Sequence, residues 1–99
     1  MQNNSKIELK DNLFLVVGEL DFTTIRELWR ASLPLLAHEK NLNFDFIHVG
    51  ASNSAGLALM LEWMKYAKRE NKKIHFANIP AQLQAIIEVS GIEKMLDLA

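Results

Sequence analysis

The 99-residue sequence has no cysteine, which removes disulfides, thiolate metal sites and cysteine nucleophiles together and fits a reducing cytosol. It has no surplus of charge of one sign either. Eleven Lys and Arg stand against twelve Asp and Glu, a net charge of −1, and the bases are interspersed with acids. No basic field therefore argues for a nucleic-acid partner. Long apolar runs are missing as well. The longest, Leu57 to Leu61, falls far short of the roughly 20 residues that cross a bilayer, so direct membrane insertion is not expected. Met1-Gln2-Asn3-Asn4-Ser5 lacks the basic and apolar regions of a signal peptide. With 49% apolar residues, the expectation is one intracellular domain over residues 1–99.

Catalytic patterns are also lacking. His38, His48 and His75 are not paired at helical spacing and have no tight acidic cluster beside them, so no metal is expected. Ser52-Asn53-Ser54-Ala55-Gly56 is not a G-x-S-x-G elbow, and Ala55-Gly56-Leu57 does not end a Walker loop. No cofactor is implied.

What is present alternates between strand and helix. Residues 6–9 and 13–17 predict strands joined as a hairpin through Asp11-Asn12. Residues 24–39 predict a helix that Asp21 or Thr23 can cap, with Pro34 kinking or breaking it around 30–33. A strand over 44–49, a helix over 55–70, a strand over 74–77, a helix over 81–89 opened by Pro80 and closed by Ser90-Gly91, and a last helical turn or two over 92–98 follow. This order predicts an α/β fold with a partly parallel sheet, or α+β if the helices crowd one face.

The chain is organised around residues 44–70. A strand runs into Gly50-Ala51-Ser52-Asn53-Ser54 and then a long apolar helix, so a hydroxyl sits at a helix mouth. Ser54 there is a natural N-cap, and equally a place where an anion could rest. Along the helix Leu57, Met60, Leu61, Met64 and Ala67 share one face, while Leu59, Trp63 and Tyr66 fall on its flank. That arc is wider than one sheet needs. It predicts a flank covered either by the helix after Pro80 or by another protein.

Val16-Val17-Gly18-Glu19-Leu20-Asp21, Phe44-Asp45-Phe46-Ile47-His48-Val49, Asn53-Ser54-Ala55-Gly56-Leu57-Ala58-Leu59 and Val89-Ser90-Gly91-Ile92-Glu93-Lys94-Met95-Leu96 together resemble the STAS domain family, which includes the anti-sigma factor antagonists. Gly18-Glu19-Leu20-Asp21 with Leu28-Trp29, and Ser54 to Leu59 with Leu61-Glu62-Trp63, resemble most the branch serving Mla-type phospholipid ABC transporters. The resemblance implies a mixed sheet of about four strands flanked by about four helices, and no enzymatic activity. It also implies a partner, the transporter's ATPase subunit MlaF, and a cytoplasmic place peripheral to the inner membrane. Ser54 falls where the family carries a Ser or Thr that is phosphorylated in the sigma-regulating branch and contacts the ATPase in the Mla branch. The residue before it is usually Asp and here is Asn53, so the acidic part of the kinase-recognised pattern is missing. The partner-binding surface expected on this basis comprises Asn53, Ser54, Leu57, Leu59 and Trp63.

Overall fold

The computed structural model describes residues 5–92. Asp11 and Asn12 both take left-handed backbone conformations, φ 53 and 65. A two-residue hairpin turn needs that pair, and it joins β1 (Lys6–Lys10) to β2 (Leu13–Leu20) in antiparallel register, as the sequence predicted. From β2 the chain passes through α1 (Ile25–Leu36) to β3 (Asn41–Ser52), through α2 (Ser54–Arg69) to β4 (Lys73–Ala77), and on to α3 (Ala81–Ser90). The sheet order is β1-β2-β3-β4, with β3 parallel to both neighbours.

Both crossovers step in the same direction across the sheet, and right-handed crossovers then place α1 and α2 on one face. The helices do lie side by side there, α2 touching both α1 and α3. Among the described residues there are three helices, and the predicted helical segment over 92–98 falls, beyond Ile92, outside them.

Phe14, Phe44 and Phe76 stack in a row across β2, β3 and β4, with ring centroids 5.1 and 5.4 Å apart. This aromatic floor is buried with Val16, Leu20, Leu42 and Phe46. The opposite face is more open, and Ile47 stands exposed on it.

Beside smaller shifts (β2 runs on to Leu20, α1 stops at Leu36, and its N-cap is Thr24, not Asp21 or Thr23), three differences from the sequence reading stand out. Of the kink or break expected around 30–33, the break does not occur, because the proline deprives only the carbonyl of solvent-exposed Arg30 while Leu28 and Leu36 anchor the helix on either side. Pro80 is the N-cap of α3 and not its first helical residue; Gly91 ends that helix at φ 75 as expected.

The third difference is β3, far longer than the predicted 44–49. Its register against β2 slips twice, between Leu15↔Asp45 and Val17↔His48, and again between Gly18↔Val49 and Leu20↔Ser52. Each slip puts an extra residue in β3, a bulge. The buried series therefore runs Phe44, Phe46, Val49, Ser52, and the period of two that marks a strand is lost after Phe46. The second bulge brings Ser52 alongside Leu20, which builds the site described next.

Candidate functional site

The parallel strands β2 and β3 end together, and Asn53 N–H donates to the Leu20 carbonyl at 3.2 Å. Asn53, in extended conformation, is the N-cap of α2, its Oδ1 accepting from Ala55 N–H at 2.8 Å. Ser54 is thus not the cap. An asparagine oxygen reaches the second helical N–H, which leaves the serine as the first helical residue with its side chain outside. Ser54 is exposed, and among the described residues no partner engages its hydroxyl. An aspartate would cap equally well, so Asn53 keeps the cap and drops the charge.

Behind this mouth Ser52 is buried and donates through Oγ to the Asn53 carbonyl at 3.0 Å, while its N–H reaches Gln82 Oε1 of α3 at 3.4 Å. Gly56 makes the close approach possible. A Cβ there would overlap Ser52 Oγ and press on Leu83 and Leu20 at 3.2 and 3.3 Å.

The neighbouring β2–α1 turn is tied by its own side chains. Asp21 Oδ1 accepts from Thr23 Oγ1 at 2.6 Å, Thr23 N–H at 2.8 Å and Thr24 N–H at 3.1 Å. The Thr23 hydroxyl first, and then these backbone donors, hold the Asp21 carboxyl below the usual carboxylate value. Thr24 Oγ1 donates to the Glu19 carbonyl at 2.9 Å. Between this turn and the α2 mouth lies an open concavity of about 330 Å³, walled by Glu19, Asp21, Ala51, Ser52, Asn53 and Gln82.

Of the five residues expected to form the surface, Asn53 and Ser54 are exposed at this mouth. Leu57, Leu59 and Trp63 are 9%, 2% and 0% exposed and belong to the core, so they are corrected from contact residues to internal ones. The reason is rotation. Trp63 lies on Phe44 at 4.1 Å and meets Phe46 edge-on at 6.4 Å, so it points at the sheet. At 100° per residue α2 is turned by roughly 80° from the face expected, and Leu61 and Met64 are left only partly buried. On that flank Trp63 and Tyr66 are covered by α1, a helix the sequence reading had not named for this role, and not by a partner. Trp63 Nε1 donates to Ser32 Oγ at 3.0 Å, and Trp29 meets Tyr66 edge-on at 6.5 Å.

Sequence reasoning missed Gln82, which carries no motif, and did not place Glu19 and Asp21 beside the α2 mouth. It also missed Ser32, because a polar residue on an apolar helix face gives no signal until its partner is known. The three histidines do not converge, and no group of three or more metal-ligating side chains exists among the described residues.

The family described as "Mlab, STAS domain" matches residues 8–97. The chain belongs to this STAS family. No curated protein matches the sequence. Among solved structures, a chain of the Acinetobacter MlaFEDB complex in an ATP-bound conformation superposes with a TM-score of 0.79 at 21% identity, over 94% of this chain and 98% of that one. An anti-sigma factor antagonist from Mycobacterium paratuberculosis gives 0.73 at 22% identity, over 96% and 83%. The anti-sigma factor antagonist SpoIIAA in its unphosphorylated form gives 0.62 at 13% identity, over 92% and 96%. At such low identities the superpositions show a shared fold. Among the described residues no helix is long and apolar enough to cross a membrane.

Proposed function

We propose that this STAS domain is a non-catalytic subunit that binds and supports the ATPase of an Mla-type phospholipid ABC transporter, in a system maintaining outer-membrane lipid asymmetry. It works in the cytoplasm, held at the inner membrane through that complex. The observation that carries this reading is the unengaged, exposed Ser54 hydroxyl at the α2 mouth, in a fold that matches a MlaFEDB chain along nearly its whole length. Asn53 and Ser54 make the contact. Leu57, Leu59 and Trp63 act from beneath, fixing the helix that presents them.

The test is co-purification with the ATPase subunit of the same organism's transporter. Ser54→Glu puts a carboxylate into a contact that excludes water and lowers the yield of complex, whereas wild-type yield would defeat the reading. A second reading, an anti-sigma factor antagonist phosphorylated on Ser54, is favoured by the accessibility of that same hydroxyl and by the likeness to SpoIIAA. It alone requires a mass gain of one phosphate when the protein is incubated with a matching kinase.

A further inference from the structure

Phe22 is 66% exposed, at the tip of the β2–α1 turn and next to Asp21, which walls the concavity at the α2 mouth. We infer that Phe22 is the aromatic anchor of the partner contact, and that the surface receiving it is a protein surface with basic residues around an apolar socket. This inference rests on the docking reading proposed above.

An exposed aromatic by itself is ordinary. Three observations separate this one. First, its turn is rigid before any partner arrives. Asp21 Oδ1 holds Thr23 and Thr24, Asp21 N–H donates to Thr24 Oγ1 at 3.0 Å, and that hydroxyl, on a buried threonine, donates to the Glu19 carbonyl. The ring is presented on a prepared support, so little ordering opposes its burial.

Second, Phe22 shares its end of the molecule with Asn53 and Ser54. The backbone bond from Asn53 N–H to the Leu20 carbonyl joins the two segments, so one partner surface can cover both.

Third, the charge around it has a sign. Residues 19–27 carry Glu19, Asp21 and Glu27 against Arg26, and none of these is in an ion pair among the described residues. Ala51, Ser52, Asn53 and Gln82, which line the concavity beside the turn, are all neutral, and Lys6 of the bordering β1 is ion-paired with Glu8. Bases collect at the opposite end, where α1 and α2 finish: Lys40, Lys68, Arg69, Lys72 and Lys73, against Glu39 and Glu70. A domain polarised in this way meets a basic surface with its Phe22 end foremost.

The experiment measures the dissociation constant for the ATPase subunit of the same organism's transporter at low and physiological salt. Wild type is compared with Phe22→Ala, Phe22→Tyr, Glu19→Gln and Ser54→Glu, and thermal unfolding checks that each variant is folded. Phe22→Ala is expected to weaken binding by about tenfold or more, with Phe22→Tyr recovering most of it. Glu19→Gln is expected to weaken binding at low salt and to flatten its salt dependence. If Phe22→Ala stays within about twofold of wild type while Ser54→Glu loses binding, the anchor is overturned and the docking reading stands. Equal salt dependence in wild type and Glu19→Gln overturns the basic character of the partner surface. If wild type does not bind the ATPase at all, both fall.

Discussion

The indole N–H of Trp63 donates to the hydroxyl of Ser32 at 3.0 Å, and both side chains are completely buried. This bond ties α2 to α1 at the place where the tryptophan also stacks on Phe44 of the sheet. The serine in turn donates to the Trp29 carbonyl at 2.7 Å, so one hydroxyl serves as acceptor and donor at once.

Ser32→Ala therefore leaves a buried indole donor without an acceptor. The expected loss of stability is about 1–3 kcal/mol, read from urea unfolding with an unchanged m-value. A loss below about 0.5 kcal/mol, the range of an ordinary surface change, would show that another acceptor takes over.

Gly56→Ala sets two effects against each other. Alanine favours a helix interior by up to about 1 kcal/mol, but its methyl overlaps Ser52 Oγ and crowds Leu83 and Leu20. Overpacking of this kind costs about 1–3 kcal/mol, so net destabilisation is expected in the same urea experiment, and a more stable variant would contradict the packing described.

At the helix mouth the roles of Asn53 and Ser54 separate cleanly. Asn53→Ala removes the cap and is expected to cost about 1 kcal/mol, while Asn53→Asp keeps it. Ser54→Ala should change stability by no more than about 0.5 kcal/mol, since its hydroxyl bonds nothing among the described residues. Equal losses for Asn53→Ala and Ser54→Ala in thermal unfolding would reverse this assignment.

The Asp21 carboxyl has a depressed pKa in the folded state, with the Thr23 hydroxyl as the leading cause. Its contribution to stability is complete above the unfolded value near pH 4 and is lost as pH falls through the lower folded value. Asp21→Asn should accordingly flatten the acid limb of the stability–pH curve below about pH 4 and leave the neutral region parallel to wild type. An acid limb as steep as wild type would assign that loss to other carboxylates.

The hairpin, the three helices and the alternation of strands with helices were legible because each is written locally. Asp11-Asn12 can adopt the left-handed turn, Gly91 the left-handed cap, and the apolar residues of α1 recur at helical spacing. The far half of β3 was not legible, since two bulges erase its alternation and become visible only against β2. Of the site, the Asn53-Ser54 mouth was readable as a strand-to-helix junction, but not which of the two would cap.

By itself, then, the sequence determined a small alternating α/β domain whose middle helix opens on a polar pair. It also determined which residues were apolar enough to be core. Only the tertiary structure decided that Trp63 faces Phe44, that Ser32 receives its N–H, and that Phe22 is left outside while Leu59 is enclosed. Periodicity gives the width of an apolar arc but not its rotation about the helix axis. That rotation is set by which ring finds which neighbour across long stretches of chain, a choice made by packing and invisible to spacing.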